Sequence, residues 1–299
     1  MARGVLASIF ASAMFGAIYY VVTLMNPLSA QDIFAWRMAL TGPMVCVLIT
    51  LTRDWPQIHA ALRDIQRRPG VLIIHLINAA NVAGQMWVFM WAPLHGKAME
   101  ASLAYFLMPL VMVLIGRFLY KDPMSSWQIA ATLLAALGVG HELWRVGTVS
   151  WIVPFIALGF PLLFVMRRAF QTSGQGGNWI ELNLIFVFAL GLLIRSGFNH
   201  DILTIELGGW IVLLAIISAT SMMAYYAASR LLTFTLFGLL GYLEPVLLVI
   251  VAFVLGETLE ASEWFTYVPI WGAVALLVVE GGLGIVASRR RQIEFSARA

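Results

Sequence analysis

Ten separate runs of apolar residues, most of them close to 20 residues long, constrain this chain more than any other sequence feature. A helix needs about 20 apolar residues to cross the bilayer core, whereas a tilted barrel strand needs about 10. None of the runs alternates polar with apolar side chains, which excludes the wall of a β-barrel. The pattern predicts ten membrane-spanning helices, at residues 4–25, 33–52, 71–92, 98–118, 126–144, 149–168, 179–196, 208–229, 232–255 and 263–287.

The composition agrees with a membrane protein. Of the 299 residues, 61% are hydrophobic and 11% are charged, and the mean hydropathy is +0.89. Soluble domains carry about 25% charged residues, so a water-soluble fold of this size is excluded. The single cysteine, Cys46, excludes a disulfide framework and a cysteine-built metal cluster. We therefore expect an all-α polytopic membrane protein with no metal and no cofactor.

The distribution of Lys and Arg predicts the orientation of the helices. With ten spans both termini lie on one side, and 14 of the 18 Lys and Arg residues fall in the segments of that side. Only Lys97, Arg145 and Arg195 fall in the opposite links, and Arg37 lies within the second span. Because Lys and Arg are retained in the cytoplasm, we expect both termini there. The longest link, 53–70, predicts a short amphipathic helix on the inner surface.

Two segments about half a chain length apart share a pattern, which indicates that a five-helix unit occurs twice. Residues 106–109 (FLMP) align with 242–245 (YLEP), and each proline is followed by an apolar half-helix. The predicted units are 1–145 and 149–299, and an odd number of spans in each turns the second copy upside down. Inverted repeats with interrupted helices are typical of alternating-access transporters, which makes Pro109 and Pro245 candidate hinges. The alternative is that both prolines are ordinary kinks of membrane helices.

The paired endings of spans 4 and 9, together with "FGAIYY", "AWRMAL" and "AYFLMPLVMVLIG" in the first half, resemble EamA-type members of the drug/metabolite transporter superfamily. Within it the chain is most similar to the RarD and YddG branches. The resemblance covers nearly the whole chain. It implies a ten-helix bundle in the bacterial inner membrane that exports aromatic and other neutral amino acids from a central cavity. The sequence departs from the family at Lys121-Asp122, where a Glu is frequent, and at Glu244 directly before Pro245.

Polar side chains inside the predicted spans are the first candidates for a substrate site, because they are costly in lipid. Glu244 lies near the middle of the ninth span, and it is either a substrate or proton site or a structural carboxylate. Arg37 lies about one turn inside the outer face, and we expect its long side chain to extend outward. The alternative is that it reaches inward and contacts a substrate carboxylate. His75, Asn78 and Asn81, followed by Gln85, share one face of the third span. This face is either a cavity wall or a hydrogen-bonded helix contact.

Aromatic, methionine and hydroxyl side chains deep in other spans complete the predicted cavity. Aromatic and methionine side chains suit an apolar substrate, although core packing explains any one of them as well. The full predicted binding set is His75, Asn78, Asn81, Tyr105, Met108, Phe160, Phe164, Ser221, Tyr225, Tyr242 and Glu244.

The sequence offers little for other functions. His141-Glu142 lacks a second histidine at zinc spacing, and the chain has no G-x-S-x-G nucleophile elbow to accompany Asn199-His200-Asp201. We therefore expect no enzyme and no nucleic-acid partner. The expected partners are the lipid bilayer and a small-molecule substrate. A drug or other metabolite exporter on the same fold is the alternative, and the oligomeric state stays open because ten helices can enclose a cavity alone.

Overall fold

The computed structural model describes residues 2–94, 97–147, 150–196, 204–254 and 260–296, and within these ranges every regular element is a helix. The twelve helices follow one another along the chain as α1 (Ala2–Thr23), α2 (Ala30–Thr52), α3 (Trp55–Arg67), α4 (Gly70–Leu94), α5 (Ala98–Phe118), α6 (Ser126–Val146), α7 (Ile152–Ala169), α8 (Gln175–Ser196), α9 (Ile205–Leu231), α10 (Phe234–Leu240), α11 (Leu243–Val254) and α12 (Trp264–Ser296).

The helices confirm the prediction of an all-α polytopic membrane protein. Eight described segments are long and apolar enough to cross a bilayer, and Leu103–Phe118 and Trp264–Glu280 are shorter apolar helices. These ten segments coincide with the ten predicted spans. The predicted surface helix in link 53–70 is α3, in which Ile58 alone is fully buried. It packs on α8 and α4.

The two prolines of the repeated segments behave differently in the structure. α5 continues without interruption through Pro109, whereas the ninth predicted span is divided into α10 and α11 at Gly241 and Tyr242. Pro245 lies three positions after the break, where its missing N–H requires no partner in the helix. The break lies against the other proline, because a Cβ added at Gly241 would be 3.5 Å from Cγ of Pro109.

Small residues allow several helices to approach closely. On α6, a Cβ at Gly138 would lie 2.6 Å from the carbonyl oxygen of Thr266 on α12. On α10, a Cβ at Gly238 would lie 2.6 Å from Cβ of Met112 on α5. Such contacts are typical of membrane helices, whose association relies on close packing because lipid supplies no hydrophobic driving force.

The ends of several helices lie close together on the side of the bundle where α1 begins. We call this side the N-terminal face. Gly4 near the start of α1 lies against Leu231 and Leu232 at the end of α9. Asp122, after α5, accepts a 2.9 Å hydrogen bond from the backbone N–H of Thr235 at the start of α10. These contacts join the first and second halves of the chain on this face.

Candidate functional site

A small cavity lies between seven helices in the interior of the bundle. Its volume is about 60 Å³, enough for a few waters at about 10–15 Å³ each. Most of its lining is aromatic, aliphatic or methionine, and only a few side chains are polar. The cavity is lined by Phe15, Ile18, Arg37, Gln85, Met86, Phe89, Tyr105, Met108, Phe160, Met222, Tyr225 and Glu244.

Arg37 reaches into this cavity, so the expectation that it extends outward to the membrane surface was wrong. Its side chain is 4% exposed, and its Nε donates a 2.6 Å hydrogen bond to Oγ of Ser218 on α9. α2 packs on both α8 and α9, which turns this face of α2 inward. A fixed positive charge therefore stands in a largely apolar interior.

Glu244 brings the opposite charge to the same cavity. It lies in the first turn of α11, directly after the break that follows α10. Within the described part of the chain, its carboxylate makes no ion pair within 4 Å, with Arg37 or with any other cation. The cavity thus holds one basic and one acidic side chain that line the same space without direct contact between them.

Aromatic rings surround these charges. Tyr225 contacts Phe15 and Phe160 with ring centroids 5.7 and 5.9 Å apart, and Phe89 contacts Tyr105 at 5.5 Å. The two tyrosines and three phenylalanines come from α1, α4, α5, α7 and α9. Edge-to-face contacts of this kind keep rings in defined positions, and their faces can receive another aromatic group.

A second set of rings, which we call the aromatic layer, lies between the cavity and the N-terminal face. It consists of Phe164, Tyr226, Phe234 and Phe237. Phe164 and Phe237 are 5.1 Å apart, and Phe237 also contacts the cavity residue Tyr225 at 4.9 Å. The aromatic layer therefore packs against the cavity lining on the side of the N-terminal face.

The polar face of α4 joins the two halves of the chain. His75 and Asn78 contact the Glu181 carboxylate on α8 at 3.1 and 3.0 Å. Nδ2 of Asn81 donates a 2.7 Å hydrogen bond to the carbonyl oxygen of Gly159 on α7. Only Gln85, at the far end of this face, also lines the cavity.

Glu181 lies at the centre of a buried ion cluster between the aromatic layer and the N-terminal face. Arg167 on α7 pairs with Glu181, donates a 2.6 Å hydrogen bond to Oδ1 of Asn178, and lies 4.0 Å above the ring of Tyr226. Arg167 is 2% exposed and Glu181 is 1% exposed. The two charges are buried, paired and hydrogen-bonded, which is the arrangement that compensates the cost of removing them from water.

The structure separates the predicted binding residues into two groups. Tyr105, Met108, Phe160, Tyr225 and Glu244 line the cavity. The others lie elsewhere: His75 and Asn78 bind Glu181, Asn81 bridges to α7, Phe164 belongs to the aromatic layer, Ser221 donates to the carbonyl of Ser218, and Tyr242 donates to the carbonyl of Phe106.

The predicted set omitted Arg37 and Gln85, the other two charged or amide side chains of the lining. Both had a sequence signal, since Arg37 is a charge within a span and Gln85 continues the polar face of α4. Phe15, Ile18, Met86, Phe89 and Met222 were also omitted. Apolar side chains of this kind are too common in membrane helices to mark a cavity.

The candidates for other chemistry do not form a second site in the described residues. Glu142 accepts a 2.8 Å hydrogen bond from the Thr266 hydroxyl and pairs with Arg145 at 2.6 Å, and His141 contacts the same hydroxyl at 2.9 Å. These contacts fasten α6 to α12. No group of three potential metal ligands occurs in the described ranges. Asn199-His200-Asp201 lies outside them.

Comparison with known proteins places this chain in a family. Residues 2–140 match the EamA-like transporter family. The chain is 39% identical over 277 residues to the chloramphenicol-sensitive protein RarD of Pseudomonas aeruginosa, covering 92% of this chain and 93% of that one. It is 33% identical to an uncharacterized transporter of Haemophilus influenzae, covering 94% and 95% of the two chains.

A solved structure shares the fold. It superposes with a TM-score of 0.67 at 16% sequence identity, covering 93% of this chain and 97% of that one. The family and the Haemophilus influenzae relative are named as transporters, and none of the three names is that of an enzyme. At 39% identity across nearly its whole length, the chain belongs to the EamA-type transporters and is a membrane transporter related to the RarD proteins.

Proposed function

We propose that this transporter exports aromatic and other neutral amino acids across the bacterial inner membrane by alternating access. The observation that carries the proposal is the presence of Arg37 and Glu244 in one aromatic cavity without an ion pair between them. An amino acid at neutral pH carries a carboxylate and an ammonium group. In this proposal Arg37 binds the carboxylate and Glu244 binds the ammonium group.

The rest of the lining suits the side chain of such a substrate. Phe15, Phe89, Phe160, Tyr105 and Tyr225 offer ring edges and faces for an aromatic or aliphatic group. A charged substrate side chain would find no further charged residue to pair with, because Arg37 and Glu244 are the charged residues of the lining. The cavity chemistry therefore favours a zwitterion with an apolar side chain.

The cavity must expand to hold this substrate, because about 60 Å³ is too small for an aromatic amino acid. Met86, Met108 and Met222 lie in the lining, and methionine side chains change shape at low cost. We propose that substrate enters as these side chains move and that the aromatic layer opens in the state that faces the N-terminal side.

Helix packing supports two units related by an inverted repeat, 1–145 and 149–299. The helices of the two units match in chain order: α1 with α7, α2 with α8, α4 with α9, α5 with α10–α11, and α6 with α12. When each helix is exchanged with its match, the main helix–helix contacts stay the same. α1 packs on α9 and α11, as α7 packs on α4 and α5. The pairs α2–α8, α5–α10 and α6–α12 join matched helices. Rocking of such units around a central site is the usual route of alternating access.

Orientation follows from the charges. The N-terminal face carries the Lys- and Arg-rich links, including Arg117, Lys121, Arg168 and Arg230. We propose that this face is cytoplasmic. Substrate would then be taken up through the aromatic layer and released on the opposite side.

The proposal is tested by efflux of radiolabelled phenylalanine from cells or vesicles. We expect Glu244→Gln and Tyr105→Ala to reduce efflux, because each removes a cavity contact. Tyr20→Ala is the control, since Tyr20 is 38% exposed and does not line the cavity. Unchanged efflux in both cavity variants would contradict the assignment of the site.

Export of drugs or other metabolites is the second candidate, favoured by the adaptable, largely apolar lining with three methionines. Competition in reconstituted vesicles separates the two candidates. Neutral amino acids should compete with labelled phenylalanine better than apolar cationic dyes do. Stronger competition by the dyes would favour the second candidate.

A further inference from the structure

The side chain of Gln85 is the one amide in the lining of the central cavity. It is 1% exposed, and its Nε2 donates a 2.6 Å hydrogen bond to the carbonyl oxygen of Phe155 on α7. A longer contact of 3.5 Å joins the same nitrogen to Oδ1 of Asn81. Both partners are oxygen acceptors, so the chemistry of the contacts identifies this atom as the nitrogen of the amide.

Gly159 leaves the space that the amide of Gln85 occupies. A Cβ at Gly159 would overlap Nε2 of Gln85 and lie 2.6 Å from its Cδ. The absence of a side chain there lets Gln85 lie directly on the backbone of α7. The amide nitrogen is thus directed at α7, and the oxygen cannot occupy the same position.

Oε1 of Gln85 consequently has no hydrogen-bond partner in the described structure, although it is buried. Buried amide oxygens are satisfied in the great majority of proteins, and leaving one unpaired is destabilising. Most neighbours in the cavity wall, such as Met86, Phe89 and Phe160, have no side-chain donor to offer. The lining residues that do carry a side-chain donor, Arg37, Tyr105 and Tyr225, donate no hydrogen bond to Oε1 in the described structure, so a donor bound in the cavity would satisfy it.

We propose that Oε1 of Gln85 accepts a hydrogen bond from an N–H group of the transported substrate, and that Gln85 selects for substrates with this group. The inference rests on the proposed function, since it assigns a third polar contact beside Arg37 and Glu244. Two N–H sources fit: the ammonium group common to all amino acids, and the ring N–H of an indole. Gly159 acts as a positioning residue.

Binding to the purified protein in detergent, measured by isothermal titration calorimetry, tests the proposal. The probes are phenylalanine, 2-phenylethylamine, 3-phenylpropionate, tryptophan and 1-methyltryptophan. Gln85→Met keeps the size of the side chain and removes the acceptor. If the ammonium group is the donor, Gln85→Met should weaken binding of the probes that carry an amine about 10-fold and leave binding of 3-phenylpropionate unchanged. If the indole is the donor, Gln85→Met should weaken binding of tryptophan more than binding of 1-methyltryptophan.

Two further variants separate this role from helix packing. Gly159→Ala displaces the amide and should reproduce the selective loss. Thr266→Val removes a buried hydrogen bond between α12 and α6, and Thr266 neither lines the cavity nor contacts Gln85, so it should leave the ratios between probes unchanged. An equal change for all five probes in Gln85→Met, or no change, overturns the proposal.

The proposed function can fail independently. If the wild-type protein exports no phenylalanine but binds 2-phenylethylamine through Gln85, the amino-acid export proposal is wrong and the Gln85 assignment stands. If phenylalanine is exported and Gln85→Met leaves the binding ratios between probes unchanged, the amino-acid export proposal stands and the Gln85 assignment is wrong. Absence of binding by all five probes counts against both.

Discussion

The hydroxyl of Tyr242 donates a 3.1 Å hydrogen bond to the carbonyl oxygen of Phe106, and the two residues occupy aligned positions in the repeated segments FLMP and YLEP. Tyr242 is fully buried beside the break between α10 and α11. The bond therefore links the break between α10 and α11, in the second half of the chain, to α5 in the first half.

Tyr242→Phe should reduce stability with little change in cavity shape. One buried hydrogen bond is worth about 1 kcal/mol, and the carbonyl of Phe106 keeps its place in α5. Thermal unfolding in detergent measures the loss. Tyr20→Phe is the matched control because Tyr20 is partly exposed. Equal melting temperatures for the two variants would show that the bond contributes nothing.

Arg37→Lys should lower export of phenylalanine by about 10-fold, because a lysine cannot keep both the Nε bond to Ser218 and a forked contact to a carboxylate. Binding of 2-phenylethylamine, which has no carboxylate, should change much less. Arg195→Lys is the control, since Arg195 is exposed. A similar loss for both compounds would contradict a carboxylate contact at Arg37.

Arg167→Leu should destabilise the protein by about 3–5 kcal/mol, because it leaves the buried Glu181 carboxylate without its cation. The double variant Arg167→Leu/Glu181→Leu should recover much of this loss, since it removes the unpaired charge as well. Denaturant or thermal unfolding in detergent compares them. Equal destabilisation by the single and double variants would exclude a mutual dependence of the two charges.

Gly138→Ala and Gly140→Ala should have opposite consequences although both lie on α6. The new Cβ at Gly138 would lie 2.6 Å from the Thr266 carbonyl oxygen and force α12 away, at a cost of about 1–3 kcal/mol. At Gly140 no atom lies within 4 Å, so alanine should be neutral or stabilise the helix by up to about 1 kcal/mol. Melting temperatures in detergent decide, and a loss at both positions would contradict the packing argument.

Asp64 on the surface helix α3 should titrate below its ordinary value. The guanidinium of Arg68 donates hydrogen bonds of 2.9 and 2.6 Å to the carboxylate, which lowers the pKa of Asp64 below 3.8. The pair therefore contributes stability above that pH, and the contribution is lost as the pH falls through the lowered pKa. Its size is small because Arg68 is exposed and Asp64 is partly exposed.

Carbon-detected NMR of labelled aspartate measures this titration. Arg68→Gln should raise the pKa of Asp64, whereas Arg63→Gln should leave it in place, since Arg63 bonds the carbonyl of His59 and not Asp64. An unchanged Asp64 titration in Arg68→Gln would contradict the predicted cause.

The sequence by itself determined the ten spans and the surface helix α3, because the length of an apolar run and the thickness of a bilayer decide whether a helix crosses it. It also determined that His75, Asn78, Asn81 and Gln85 share one face, because the helical period fixes this. The repeated segments were also visible in the sequence, because a repeat is a property of residue order.

Only the tertiary structure decided which way each face points. Arg37 enters the cavity because α2 packs against α8 and α9, and Tyr242 lies outside it because α10 packs against α5. The polar face of α4 divides in the same way, with His75 in the ion cluster and Gln85 in the cavity wall. The rotation of a helix about its axis depends on the shapes of its neighbours, and a hydrophobic pattern on nearly every side of a membrane helix leaves that rotation unspecified.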